Sequence, residues 1–274
     1  MHKISIVTVV LNRPIELERT ICSCINQTYL NKEYIVIDGG SSKETIDIIK
    51  KYSNGITKWV SESDSGIFNA MNKSLRYVTG DYVIFMNAGD VFISSNTLYD
   101  IFNNREYTEN IIYGDSILHN KYGYLYRKNA SIYERKATQR DYIYIGQQIC
   151  HQAMFTNTMI LKEIKFNEKY KLGADYDTTA KIIQNNPNSY YNLKTPICIF
   201  DDVLGGASHY QLKKVIDERI DMFCGKKDLY YYMFLTKNYI LLQIKDVISF
   251  LIPSLQKKYR TKKYKQSLEE LDFH

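Results

Sequence analysis

Three stretches of this 274-residue chain place acidic side chains where a fold would present them for chemistry. Asp38 ends the apolar run Tyr34-Ile35-Val36-Ile37 and precedes Gly39-Gly40-Ser41-Ser42. A carboxylate aimed out of a sheet at that point can accept a hydrogen bond from a nucleotide base, and the glycines allow close backbone approach. The same letters also suit an acidic residue in a strand-to-helix turn. Asn87-Ala88-Gly89-Asp90 breaks off the apolar run Tyr82-Val83-Ile84-Phe85-Met86. Asp90 there can hold Mn²⁺ or Mg²⁺ against the charge of a departing diphosphate, or the tetrapeptide is only a turn. Gly173-Ala174-Asp175-Tyr176-Asp177 sets two carboxylates at i and i+2 near a helix start, where the dipole favours negative charge. They cannot share a helical face, so at most one of Asp175 and Asp177 takes a proton from an attacking hydroxyl; either also suits a helix cap. His151, beside Gln152, and His209 are each open to metal or hydroxyl binding or to a structural role.

The elements around these residues have a regular order. Ile4 to Val10 reads as a strand buried on both faces of a parallel sheet. Pro14 opens a helix with Leu17, Ile21 and Ile25 on one face. Glu33–Asp38 is the next strand, and Ser42 is a candidate cap for a helix carrying Ile46, Ile49 and Tyr52. A short strand at Lys58–Ser61, a helix from Ile67 to Val78 and a strand at Asp81–Met86 follow. Strands alternating with helices specify a doubly wound parallel sheet that binds ligands beyond the carboxyl ends of its strands. Asp38, Asp64 and Asp90 all come just after such ends. Past residue 100 the pattern loosens: strands are expected at Ile111–Tyr113, Tyr122–Arg127 and Ile197–Phe200, a helix at Tyr176–Gln184, and helical structure from Tyr210 onward.

Composition is that of a packed globular protein, with 24% charged residues and no repeat. Its N-terminus runs directly into a strand without signal-peptide zones, so a cytoplasmic location is expected. Five cysteines, odd in number and with only a C-x-C close pair, read as free thiols. There is no Walker A sequence, no G-x-S-x-G elbow and no H-x-E with C-x-x-C.

The set Ser5–Asn12, Asn26–Tyr29, Ile37–Ser41, Ser61–Ile67, Asn69–Lys73, Gly80–Tyr82, Asn87–Asp90, His151-Gln152, Ala174–Asp177 and Gly205–Ser208 resembles, in order and spacing, the family-two glycosyltransferases. Their bacterial branch that builds O-antigen and capsule repeats is the most similar. The resemblance implies the A-type α/β fold, with a Rossmann-like nucleotide-binding half, a mostly parallel central sheet and a C-terminal helical extension. It implies a catalytic domain over residues 1–209, split near residue 90 into donor and acceptor halves, and an extension over 210–274. The donor pocket would be lined by Thr8, Val10 and Asn12, with Asp38 on the uracil of a UDP-sugar. Asp64, Asn72 and Lys73 would stand close to the nucleotide, along with Asn87, Ala88 and Gly89. Asp90 would be the metal ligand, with His209 as a possible second, and His151 and Gln152 would lie on the acceptor side. Asp175 would be the base of an inverting displacement, with Asp177 as the alternative. Asn87 and Gly89 replace carboxylates common in the family, which implies a metal held weakly and jointly with substrate. Ala174 replaces the usual Glu.

From Leu229, aromatic and aliphatic residues recur at helical spacing through Leu255, and six basic residues fall within 257–265. Charged interruptions keep any run below the length of a spanning helix. The pattern fits a helix lying on an anionic membrane, within reach of a polyprenyl-diphosphate-linked saccharide acceptor; it also fits a helix packed on protein beside a solvated tail. Nucleic acid is not an expected partner. A sugar-nucleotide pyrophosphorylase is disfavoured by the absence of glycine in Leu11-Asn12-Arg13-Pro14. A catalytically inert homologue that binds a glycan or scaffolds an assembly is the remaining alternative.

Overall fold

Every residue of β1 (Ile4–Val10) is buried, and a strand hidden on both faces requires helices on both sides of its sheet. The computed structural model describes residues 1–120, 125–128, 130, 138–145, 149–202 and 211–251. Along β1, Ile4, Ile6 and Val10 join one core layer and Val7 and Val9 the other, the two-residue period of a strand. The first layer is completed by α1 (Pro14–Ile25) through Leu17 and Ile21, and by α2 (Lys43–Lys51), after β2 (Lys32–Asp38), through Ile49. Ser42 occupies the cap position of α2, but its side chain makes no capping bond.

On the opposite face lies α3 (Ile67–Ser74), which follows β3 (Lys58–Ser61) and buries Phe68, Ala70 and Met71. It is one turn shorter than the pattern predicts, because Leu75–Val78 leave the helix for turns before β4 (Tyr82–Phe85). β5 (Val91–Phe92), α4 (Thr97–Phe102), β6 (Ile111–Asn120) and β7 (Leu125–Lys128) come next. Then follow β8 (Met154–Asn157), α5 (Thr158–Ile164), α6 (Ala174–Asn185), β9 (Tyr190–Asp202), α7 (Leu212–Met222) and α8 (Leu229–Leu251). Helix α6 starts two residues before the expected Tyr176, which brings Asp175 and Asp177 into its first turn.

The sheet order is β3-β2-β1-β4-β8-β6-β9-β5, with β7 on β6. The parallel arrangement expected holds for β3, β2, β1 and β4. At β4 the sheet changes character: β8 pairs with it antiparallel, and the strands beyond are mixed.

The end of the sheet away from the strands' carboxyl termini is pinned by one buried carboxylate. Glu33, at the start of β2, accepts from Ser5 Oγ at 2.5 Å, from the Thr79 backbone N–H and hydroxyl at 2.6 Å each, and pairs with Lys3 Nζ at 2.8 Å. Burial pushes its pKa up, but these donors outweigh it and hold the group down at about 2.

Helix α7 packs Ile216 and Ile220 against Ile143, in the single π turn at Asp141–Ile145, and against Tyr231 of α8. Leu229, Tyr230, Tyr232 and Met233 of α8 are exposed. Among the described residues no helix is long and apolar enough to cross a membrane. The basic run at 257–265, Gly205-Gly206 and His209 lie outside the described residues.

Candidate active site

The carboxyl ends of β1 and β2 form one crest. Asn12, with a left-handed φ of 52°, donates its backbone N–H to Ser41 Oγ at 2.7 Å and accepts from the Ser42 N–H at 2.8 Å. Asp38 is fully buried, and its Oδ2 accepts from the Gly40 and Ser41 N–H groups at 3.1 and 3.0 Å and from Ser61 Oγ at 2.7 Å. Its Oδ1 is buried with no hydrogen-bond partner, an uncommon and costly state for a carboxylate oxygen. Asp64 reaches back over this loop: a Cβ built on Gly39 would lie 2.3 Å from Asp64 Oδ2, so only glycine admits the approach. Thr8 stands deeper in the sheet, fully buried, with Oγ1 donating to the Met86 carbonyl at 2.7 Å and 2.9 Å from the Tyr34 hydroxyl. Val10 and Ala88 are buried as well.

After β4 the chain makes the tight turn Asn87–Asp90, in which the Asp90 N–H donates to the Asn87 carbonyl at 2.9 Å and Gly89 adopts φ 115°. Thr20 of α1 braces it, its hydroxyl accepting from the Gly89 N–H at 2.9 Å and donating to the Asp90 carbonyl at 2.8 Å. The Asp90 carboxylate is 3% exposed. One oxygen accepts from Gln152 Nε2 at 2.9 Å and the other from the Asp201 N–H at 3.1 Å. Burial among neutral donors pushes its pKa up to about 6. Among the described residues no three His, Cys, Asp or Glu side chains converge as a metal cluster.

Gln152 belongs to a short 3-10 turn, His151–Ala153, that also carries His151. The imidazole Nδ1 lies 3.1 Å from Asp175 Oδ2 and Nε2 lies 3.1 Å from Asn87 Nδ2. Burial pushes the imidazole pKa down, but the hydrogen bond and charge of the Asp175 carboxylate, with further charge from Asp90, lift it to about 9. The same ion pair lowers the pKa of Asp175 against the opposing effect of burial. Asp175 and His151 side chains are each about one-fifth exposed, at 22% and 21%. The segment leading into α6 is held from behind by α7: Glu218 accepts from the Lys171 and Leu172 N–H groups at 2.8 and 3.1 Å.

The remaining sequence-predicted residues take other places. Asp177 is buried and paired with Lys181 at 2.6 Å, one helical turn along, so it does not join the His151 cluster. Asn72 binds backbone and Glu168 in the segment after α5, donating to the Phe166 carbonyl and to Glu168 Oε1 at 2.8 Å each. Lys73 donates to the Ser63 carbonyl at 2.7 Å and pairs with Glu62 at 3.0 Å. Asn72 therefore ties α3 to the segment after α5, and Lys73 ties it to the loop before Asp64. Two residues escaped the sequence reading. Thr20 sits inside the apolar stripe of α1 and gives no signal. Asp201 follows the apolar run Ile197–Phe200, the same pattern that marked Asp38 and Asp90. Its side chain lies 3.5 Å from both Arg19 and His119 and fills the space a Cβ at Gly89 would need.

The chain is similar to known glycosyltransferases in sequence and to solved structures in fold. A PGL/p-HBAD biosynthesis glycosyltransferase from Mycobacterium bovis is 25% identical over 224 residues, 80% of this chain and 84% of that protein. A cholesterol galactosyltransferase from Borreliella burgdorferi is 32% identical over 111 residues, 40% of this chain and 30% of that protein. The solved structure of S. aureus TarS 1–349 in complex with UDP superposes with a TM-score of 0.57 at 18% identity, covering 80% of this chain and 65% of that one. Glucosyl-3-phosphoglycerate synthase from Mycobacterium tuberculosis, in complex with Mn²⁺, UDP and glucosyl-3-phosphoglycerate, gives 0.56 at 15% identity, covering 83% and 82%. The family described as Glycosyl transferase family 2 matches residues 5–165, from β1 through α5. That match takes in the crest at Asp38, the turn at Asp90 and the His151-Gln152 pair, and the chain belongs to glycosyltransferase family 2, with the A-type fold that binds nucleotide sugars.

Proposed function

We propose that the enzyme moves a hexose or N-acetylhexosamine from a UDP-linked donor, with inversion, onto a lipid-diphosphate-linked saccharide during synthesis of a bacterial O-antigen or capsule. The observation that carries the donor assignment is Asp38 Oδ1, a buried acceptor without a partner at the carboxyl end of β2. The uracil N3–H is a donor of matching type, and its arrival removes the penalty of an unsatisfied buried oxygen. Asp64, folded over Gly39, and Asn12, tied to Ser41 and Ser42, close the crest around that point.

Asp175 is the base in this reading. Its Oδ2 is paired with His151, and the carboxylate takes the acceptor hydroxyl's proton as the oxygen attacks the anomeric carbon from the face opposite the diphosphate. At neutral pH the ion pair with His151 keeps Asp175 ionised and ready to accept. The residues fit a divalent cation shared with substrate: Asp90 is a buried carboxylate with only neutral donors in contact, which a cation would stabilise. Asp90 would hold Mn²⁺ or Mg²⁺ with diphosphate and water, and the ion would neutralise leaving-group charge. No second protein carboxylate is required, in keeping with the neutral Asn87 and Gly89.

The exposed face of α8, with Leu229, Tyr230, Tyr232 and Met233, together with the basic run at 257–265, supports attachment to the inner face of the cell membrane, where a lipid-linked acceptor resides. The cholesterol galactosyltransferase relative adds a lipid as an acceptor class to test. The deciding experiment is a panel of UDP-, GDP- and dTDP-sugars with Mn²⁺ or Mg²⁺, read by thermal stabilisation and nucleotide release. UDP-sugars alone should stabilise the protein, Asp38→Ala should abolish that gain, and Asp175→Asn should bind donor without turning it over. Stabilisation by no nucleotide sugar would sink the reading.

A further inference from the structure

The two carboxylates on which the proposed reaction depends are held by neighbouring side chains of a single 3-10 turn. Gln152 Nε2 binds Asp90, while its Oε1 accepts from Cys150 Sγ at 2.8 Å, so both ends of the amide are committed. His151 spans from Asp175 on α6 to Asn87, and Asn87 lies on the same turn as Asp90. One element thus makes two struts to the turn after β4 and one to the helix that carries the base. We propose that His151 and Gln152 are a yoke of positioning residues, which sets the separation and orientation of Asp175 relative to Asp90 and so fixes the line of attack.

The proposal rests on the assignment of Asp175 as base and Asp90 as the carboxylate that would hold the cation facing the leaving group. An in-line displacement demands that the base and the group receiving leaving-group charge face the reacting carbon from opposite sides, and an error of about 1 Å in such an arrangement costs roughly 100-fold in rate. Asp90 and Asp175 stand on separate elements, β4's trailing turn and α6, so their relation is not set by backbone pairing. The yoke supplies it. The groups facing His151 are Asp175 from α6, Asp90 and Asn87 from the turn, and Cys150 from its own strand of chain. With Nδ1–H donating to Asp175, a protonated ring needs an acceptor for Nε2–H. Asn87 Oδ1, buried without a partner, becomes that acceptor when the amide turns over by half a rotation. One proton on the ring then satisfies both an unpaired oxygen and the base.

Side-chain geometry separates the two struts. Asparagine places its amide nitrogen as many bonds from the backbone as imidazole Nδ1, and glutamine places its nitrogen as many bonds away as Nε2. His151→Asn therefore retains the strut to Asp175, and His151→Gln retains the strut to Asn87. With UDP-glucose, UDP-galactose and UDP-N-acetylglucosamine as probes in Mn²⁺, His151→Gln should lower kcat for UDP release about 100-fold with donor KM unchanged. It should also move the acid limb of the kcat profile to higher pH, because Asp175 loses its cationic partner. His151→Asn should retain most of kcat and raise donor KM. Equal losses in the two variants, or the reverse order, would overturn the yoke. Full UDP release in His151→Gln alongside none in Asp175→Asn would keep the base and reject the yoke. If wild type turns over none of the three sugars, the donor assignment fails, and ¹⁵N-histidine NMR still decides the inference: the His151 Nδ1–H resonance must move in Asp175→Asn and stay in place in Asp177→Asn. A resonance unmoved in both variants overturns it.

Discussion

Removing the charge of Asp90 should change the protein's stability by an amount that shifts in the variant's favour as pH rises. The carboxyl is buried and its pKa lies at about 6 in the folded chain against an ordinary 3.8. A group whose folded value is raised contributes most below its unfolded pKa and loses that contribution as pH climbs through the folded value. At about 1.4 kcal/mol per tenfold change in proton affinity, the whole loss is about 3 kcal/mol, of which about 2 kcal/mol falls between pH ~4.5 and pH ~7.5. Asp90→Asn has no such titration. Its amide must present NH₂ to one of two neighbouring donors, Gln152 Nε2 or the Asp201 N–H, which costs a fixed amount at every pH. The difference in stability between variant and wild type should therefore grow by about 2 kcal/mol from pH ~4.5 to pH ~7.5, whatever its absolute value. Urea denaturation of both proteins in metal-free buffer across that range measures it. A difference flat with pH would refute the account of Asp90 as a carboxylate whose burial outweighs its neighbours. With Mn²⁺ and UDP present, the wild type should recover stability at neutral pH and the variant should not.

Gly39→Ala brings a methyl to 2.3 Å from Asp64 Oδ2, the end of a partly exposed side chain that can swing aside; it should cost little stability but displace Asp64 and remove stabilisation by UDP, as scanning calorimetry with and without nucleotide will show. Glu33→Gln should lower stability by about 2 kcal/mol at neutral pH. Because the Glu33 pKa is depressed from 4.5 to about 2, the wild-type advantage is present above the ordinary value and should vanish as pH falls from about 4.5 toward 2. Acid unfolding followed by circular dichroism checks the merging of the two curves. Deleting residues 252–274 should abolish co-sedimentation with phosphatidylglycerol vesicles while leaving UDP binding intact; unchanged co-sedimentation would remove the basic run from any membrane role.

Legibility from sequence tracked how locally each feature is determined. Ile4–Val10 and Tyr34–Asp38 declare themselves because strands buried on both faces need unbroken apolar runs, and the carboxylates at their ends follow directly. Met154–Asn157 gives no such sign: β8 is four residues long, and its antiparallel place beside β4 is decided by partners distant in the chain. The cluster of His151, Asp175 and Asn87 brings together residues 24 and 64 positions apart, and spacing carries no trace of that meeting. Motif resemblance implies a place near the nucleotide for Asn72 and Lys73; spacing gives no sign of the partners they take in the fold, Phe166 and Glu168 for one and Glu62 and Ser63 for the other. Asp175 and Asp177 were inseparable as letters. The helix separates them by aiming one at His151 and the other at Lys181.

Strand β4 is bonded parallel to β1 on one side and antiparallel to β8 on the other, so the Asn87–Asp90 turn springs from the seam of the sheet. For anyone building chimaeras, this makes the obvious cut a poor one. Exchanging the half that follows residue 90 for that of a relative with another acceptor would set foreign side chains at 151 and 152, and a foreign backbone at 201, against a native turn whose Asn87 and Asp90 they must hold. The transferable unit is the acceptor half together with residues 87–90 and the Thr20 that braces them from α1.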